Sequence, residues 1–77
     1  MIFLIEYSRR EGRIIRIEKF GDQDRERAAN LRLDIELELN RTRIEHEVVL
    51  LEAASENGLR RTHRRYFENA GQISSTG

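Results

Sequence analysis

The segment "LRRTHRRYF", residues 59 to 67, has the side chains best suited to binding another molecule. Two pairs of arginines stand four residues apart, and on a helix this spacing gives them a broad common face: Arg60, Arg61, Arg64 and Arg65. Guanidinium groups bind carboxylates and phosphates through two parallel hydrogen bonds. The face is therefore a candidate contact for an acidic protein surface or a nucleic acid.

Two other interpretations of these arginines stay open. The chain is basic towards both ends and acidic in the middle, so the arginines can pair within the chain, especially with Asp34, Glu36 and Glu38, or can be solvated. No sequence motif of a known nucleic-acid-binding fold is present. Nucleic-acid binding is thus the alternative rather than the first interpretation.

The other side of the same helix is mostly apolar, and we expect it to anchor the helix. Leu59, Tyr66 and Phe67 should be buried while Arg60 and Arg64 stay exposed. His63 lies on the apolar side, and the arginines around it disfavour its charged form. We expect a packed, hydrogen-bonded, neutral histidine there.

The tripeptide "EHE", Glu45 to Glu47, places a histidine between two carboxylates. A strand would direct Glu45 and Glu47 to one face and His46 to the other, which disfavours a shared metal ion. With no cysteine and no glycine-rich phosphate loop, we expect no metal, no cofactor and no catalytic residues. An enzyme would need a pocket enclosing His46 or His63 beside a carboxylate.

The composition indicates one small, soluble domain. The chain has 77 residues, 38% of them hydrophobic, and no apolar run approaches the length that spans a membrane. We expect a single domain over residues 1–69, a flexible tail over residues 70–77 and a cytoplasmic location. A core this small, without disulfides, has to be stabilised by close packing or by association.

Residues 2–20 predict a β-hairpin. Two segments rich in isoleucine flank "SRREGR", where Gly12 can adopt the positive φ of a tight turn. The first segment is almost wholly apolar and should be a central strand with both faces covered. The second carries charges and should be an edge strand.

The stretch "LRLDIELEL" alternates like a strand but consists of helix-forming residues. Asp22 as N-cap and Asn40 as a left-handed C-cap predict a helix over residues 22–40. This helix has two apolar stripes. The inner stripe is Ala28, Leu31, Ile35 and Leu39, and the outer stripe is Ala29, Leu33 and Leu37.

The rest of the chain predicts a strand at about residues 45–53 and a final helix, capped by Ser55 or Asn57, through about residue 69. The predicted fold is a small α+β domain with the element order ββαβ(α). Its three-stranded sheet has the order 2-1-3, the long helix packs on one face by a right-handed crossover, and the C-terminal helix is short.

One long helix and one short helix do not easily cover both sheet faces and the outer stripe. We expect a two-fold homodimer that buries either the outer stripe or an uncovered sheet face. In the other interpretation, the terminal helix closes the sheet and arginine stems shield the leucines. The function predicted first is a non-catalytic, self-associating protein-interaction module; a nucleic-acid-binding module is second and a small enzyme using histidine and glutamate is third.

Overall fold

The computed structural model describes residues 1–67, and these form a small α+β domain. Strand β1 is Ile2–Ser8, β2 is Arg13–Phe20 and β3 is His46–Glu52. A 3₁₀ turn, Asp22–Asp24, leads into helix α1, Arg25–Thr42, and helix α2 is Glu56–Thr62. The sheet is antiparallel in the order β2-β1-β3, so the predicted strand order and the central position of the first strand are confirmed.

The hairpin joining β1 and β2 turns at residues 9–12. Gly12 has a φ of 67°, as expected from the sequence, and its N–H donates to the Ser8 carbonyl at 2.8 Å. The pairing register shifts between Glu6 and Tyr7, so β2 carries a bulge opposite this point. Because β2 has a strand neighbour on one side only, it is an edge strand, as its charges predict.

The inner stripe of α1 covers one sheet face, hereafter the α1 face. Ala28 and Ile35 are buried against Ile2 and Leu4 of β1, and Val48 of β3 joins the same cluster. Leu31 and Leu39 pack against it and are partly buried. The helical interpretation of "LRLDIELEL" and the assignment of its inner stripe are therefore confirmed.

The opposite face, hereafter the α2 face, is closed by the C-terminal part of the described chain. Leu59 and Tyr66 are buried against Phe3, Ile5 and Tyr7. Phe67 is only partly buried, whereas Arg60 and Arg64 are exposed. These residues cover β1 and β3 on this face, whereas Ile17 of β2, which pairs with Ile5, remains 39% exposed. Burial of a sheet face between two protomers therefore stays a prediction.

Helix α1 ends two residues later than expected. The left-handed residue is Arg43, with a φ of 61°, and not Asn40. The Arg43 N–H donates to the Asn40 carbonyl at 3.3 Å, and the Ile44 N–H donates to the Leu39 carbonyl at 3.0 Å. These are the two bonds of a Schellman C-cap. At the other end, the helix has no side-chain cap, so Asp22 precedes it without capping it.

The terminal helix begins as expected and is interrupted. Ser55 is its N-cap, and its hydroxyl accepts the Gly58 N–H at 3.1 Å. The helix ends at Thr62, His63 has a non-helical conformation, and residues 64–67 are helical again. A single helical face carrying four arginines is therefore not formed. The end of the expected helix, near residue 69, and the expected tail, residues 70–77, lie outside the described residues.

No helix in the described chain, residues 1–67, combines the length and the apolar character needed to cross a bilayer.

Candidate functional site

The hairpin turn and the α1–β3 connection meet at one end of the sheet, and an open depression lies between them. Its volume is about 610 Å³, and its lining is mostly charged: Ser8, Arg9, Arg10, Glu11, Arg43, Ile44, Glu45, His46 and Glu47. Antiparallel pairing causes this arrangement, because the last residue of β1, Ser8, lies opposite the first residue of β3, His46. The "EHE" segment therefore lies beside the hairpin turn.

His46 forms a short contact with the carboxylate of Glu6. The distance between His46 Nδ1 and Glu6 Oε2 is 2.6 Å, and both side chains are largely buried. Arg16 approaches the other carboxylate oxygen at 3.9 Å. When Nδ1 carries the proton and donates it to Glu6, Nε2 is the ring nitrogen left for another partner.

His46 therefore has the carboxylate neighbour that an enzyme would need, but the depression beside it is open and does not enclose the ring. Acyl transfer would also need a nucleophilic side chain within hydrogen-bonding distance of His46. Ser8 pairs with His46 in the sheet, but its side chain is 2% exposed and its hydroxyl accepts the Glu11 N–H at 3.1 Å. Among residues 1–67, Ser8 and His46 are not hydrogen-bonded to each other.

Glu47 binds on the α2 face, opposite to His46. Its Oε2 accepts the Tyr66 hydroxyl at 2.6 Å and Arg65 Nη2 at 2.8 Å, and its Oε1 accepts Arg9 Nε at 3.3 Å. The Tyr66 hydroxyl, followed by the two arginines, lowers the pKa of Glu47. Burial raises the pKa of Tyr66, and its bond to Glu47 acts in the same direction. The adjacent residues His46 and Glu47 thus form their polar contacts on opposite faces of the sheet.

Two of the four predicted arginines bind acids of the same chain. Arg65 contacts Glu47 and the Tyr66 ring, while Arg60 pairs with Glu56 at 3.1 Å and lies over the Phe67 ring at 4.7 Å. Arg61 and Arg64 are exposed. The acids bound by Arg60 and Arg65 are therefore Glu56 and Glu47, and not the expected acids of α1.

Those α1 acids have other neighbours. Arg32 approaches Glu36 at 3.5 Å, and Arg41 binds Glu38 within the same helix. Asp34 forms no ion pair with any other described residue. His63 is partly buried, but its side chain makes no hydrogen bond within residues 1–67, so the hydrogen-bonded histidine expected from the sequence is not seen there.

The predicted outer stripe is exposed to solvent along α1. Leu33 is 54% exposed and Leu37 is 59% exposed, and Ala29 is exposed one turn before them. Arginine stems therefore do not cover the two leucines. They are the two most exposed large apolar side chains of the described chain.

The sequence reasoning did not select Glu6, Arg10 or Arg43. One signal for Glu6 was present: period-two alternation places it on the same face as Ile2 and Leu4, and a carboxylate on a central strand needs a partner. The strand order then makes β3 one of its two neighbours. Arg43 gave no such signal, because its backbone conformation depends on where α1 ends.

Comparisons with protein-family models, with curated proteins and with solved structures found no match to this chain.

Proposed function

We propose that the protein is a small, non-catalytic interaction module that self-associates through the outer stripe of α1: Ala29, Leu33 and Leu37. The observation that carries the proposal is the more-than-half exposure of Leu33 and Leu37 on a helix whose inner stripe is already buried. Apolar side chains aligned at i and i+4 on a rigid helix form a continuous ridge that favours a partner helix.

The sequence of the stripe favours a second copy of the same helix. In an antiparallel pair with its two-fold axis at Leu33, the Leu33 side chains meet, and each Leu37 lies opposite the small Ala29 of the partner subunit.

The charges at the two ends of α1 do not oppose this pairing strongly. Arg25 and Arg41 come level in this register but lie on opposite flanks of the contact, and each binds an acid of its own chain: Arg25 binds Glu52 at 2.7 Å and Arg41 binds Glu38. The apolar patch is small, so we expect a weak dimer with a dissociation constant roughly in the micromolar range or above.

Sedimentation equilibrium at protein concentrations from about 10 µM to 1 mM tests the proposal. The average mass should rise from one protomer towards two. Leu33→Glu and Leu37→Glu should each keep the protein monomeric, because they bury a carboxylate in the contact. Ile44→Glu is the matched control, since Ile44 is 48% exposed and lies outside the stripe.

A charge pair at residue 33 tests the identity of the partner. Leu33→Glu and Leu33→Arg should each be monomeric alone, and mixing the two variants should restore a dimer, because residue 33 meets its own copy at the two-fold axis. A wild-type protein that stays monomeric throughout, or stripe variants that dimerise like wild type, would overturn the proposal.

Nucleic-acid binding through the arginine-rich segment has less support. Arg60 and Arg65 are engaged with Glu56 and Glu47, and the helix that would align the four arginines is interrupted at His63. Electrophoretic mobility with mixed RNA and DNA at low salt separates the two functions. Binding that weakens steeply with salt would favour the nucleic-acid alternative.

A further inference from the structure

Two arginines beside the depression form no hydrogen bond or ion pair with the described chain. Arg10 is in the hairpin turn and Arg43 follows α1, and both line the depression and are exposed. Within residues 1–67 neither guanidinium forms a hydrogen bond or an ion pair. Two guanidinium groups from separate segments thus flank the same open volume without a carboxylate bound to either.

The backbone of Arg43 makes its side chain unusual at this position. Its φ of 61° is the left-handed conformation that ends α1, for which glycine is the common residue. A left-handed residue with a Cβ is less favourable than glycine. The hydrogen bonds of the cap use only backbone groups, so the side chain contributes to α1 only through its charge at the negative end of the helix. The same positive charge lies at the depression.

His46 supplies a third polar group, and Glu6 fixes its orientation. The 2.6 Å contact between Nδ1 and Glu6 holds the imidazole ring in place. A ring oriented through one nitrogen presents the other in a defined direction, as carboxylate-bound histidines do in many binding sites. His46 is part of the lining of the depression.

The acidic residues of the lining are mostly neutralised inside the chain. Glu47 binds Arg65, Arg9 and Tyr66, and Glu11 binds Arg13 at 2.6 Å. Glu45 is the remaining carboxylate, and it is exposed. After these pairs are formed, the guanidinium groups of Arg10 and Arg43 share the depression with one exposed carboxylate, Glu45, so the depression retains a positive character.

We propose that this depression binds the phosphate or carboxylate group of a small ligand. Arg10 and Arg43 donate to the oxygens of the anion, and His46, held by Glu6, lines the same depression. Guanidinium groups that converge from two segments suit a compact oxyanion. The site uses no residue of the outer stripe, so it does not depend on self-association.

Titrations with inorganic phosphate and with succinate, followed by NMR, test the site. Saturable shifts should occur at the His46 ring and at the backbone amides of residues 9–12 and 43–46. The ligand that binds more tightly identifies the preferred oxyanion. Shifts confined to residues 60–65, or no saturable shift at about 20 mM of either anion, would overturn the proposal.

Arg43→Asn separates binding from folding. Asparagine tolerates the left-handed conformation but carries no charge, so the variant should unfold at the same temperature as wild type or higher while binding the anion about tenfold more weakly. Arg10→Gln should weaken binding by a similar factor. Arg61→Gln, which removes an exposed arginine from α2, is the matched control and should bind like wild type.

Glu45→Gln adds a test of sign. Removing the remaining carboxylate should tighten anion binding several-fold, because it removes a like charge from the site. Wild-type affinity in Arg43→Asn, or weaker binding in Glu45→Gln, would show that the depression is not an anion site.

Discussion

The two faces of the sheet are covered in different ways. On the α1 face, a continuous helix of 18 residues buries an apolar stripe along its length. On the α2 face, a helix of seven residues and the short helical segment after it rely on two deeply buried anchors, Leu59 and Tyr66. Short helices are unstable by themselves. A short cover therefore needs a few strong contacts where a long helix uses many ordinary ones.

Polar contacts also stabilise the α2 face, and they distinguish it from the α1 face. Tyr66 combines a buried ring, packed edge-on against Tyr7 at 5.2 Å between ring centroids, with a hydroxyl bound to Glu47. The α1 face has no comparable link between its helix and the apolar middle of the sheet; Arg25 and Glu52 join them at an exposed margin. Because the α2 face depends on a few contacts, we expect single substitutions at those contacts to lower the free energy of unfolding strongly.

Leu59→Ala should have the largest effect. The side chain is fully buried between α2 and the sheet, so its truncation should lower the free energy of unfolding by about 2–5 kcal/mol. Urea denaturation followed by circular dichroism measures it. Leu37→Ala, on the exposed stripe, is the control and should change stability by less than about 0.5 kcal/mol at protein concentrations where the chain is monomeric. A loss below about 1 kcal/mol for Leu59→Ala would mean that α2 is a peripheral cover.

Tyr66→Phe should have the next largest effect. It keeps the ring against Tyr7 but removes the hydroxyl that donates to the Glu47 carboxylate, so we expect a loss of about 1.5–3 kcal/mol. A double-mutant cycle with Glu47→Gln isolates the contact. If the two substitutions were additive, the hydroxyl and the carboxylate would contribute independently to the stability of this face.

Phe67→Ala should cost less than truncation of a fully buried phenylalanine. The ring is only partly buried and has Arg60 over it, so we expect a loss of about 1–2 kcal/mol, below the range for a fully buried site. The same urea measurement applies. A loss of about 3 kcal/mol or more would show that Phe67 anchors the α2 face as strongly as Leu59 does.

Acid should loosen the α2 face by a smaller amount. Because folding lowers the pKa of Glu47 below its ordinary value of 4.5, the unfolded chain binds a proton more readily than the folded chain. The Glu47 contribution is complete above about pH 4.5 and is lost as the pH falls through the lower, folded value. A protonated carboxyl group can still accept the Tyr66 hydroxyl, so the loss should be smaller than that of Tyr66→Phe.

Unfolding measured between pH 3 and pH 6 in wild type and Glu47→Gln tests this dependence. The variant should lose less stability than wild type over the acid range. Other carboxylates with lowered pKa values, including Glu52, titrate in both proteins and cancel in the difference. Identical acid dependence in the two proteins would contradict a role for Glu47.

The sequence was sufficient for the elements that depend on local pattern. The apolar β1, the turn at Gly12 and the inner stripe of α1 follow from periodicity and turn chemistry, and so does the Ser55 cap. The strand order followed because an almost wholly apolar strand has to lie in the middle. These features need no knowledge of which polar side chains meet.

The candidate site was less predictable, because it depends on register and on where helices end. His46 meets Glu6, and Glu47 meets Tyr66 and Arg65, across separations that only the final alignment of β1, β3 and the terminal segment determines. Asn40 is a plausible left-handed residue, but Thr42 extends the helix past it by donating its hydroxyl to the Glu38 carbonyl at 2.9 Å. The left-handed position then falls to Arg43.

The central position of β1 has a consequence for the order in which the chain folds. Its pairing with β2 is local and is complete once residue 20 has been made, whereas its pairing with β3 joins Ile2 to Glu52 and must wait for the whole of α1. Loop closure of this length is slow compared with hairpin formation. During that interval the newly made hairpin presents an apolar strand with one open edge, and such an edge can accept a strand from another chain. Aggregation during synthesis or refolding should therefore decrease when β3 is supplied early, for example by a circular permutant that begins with β3.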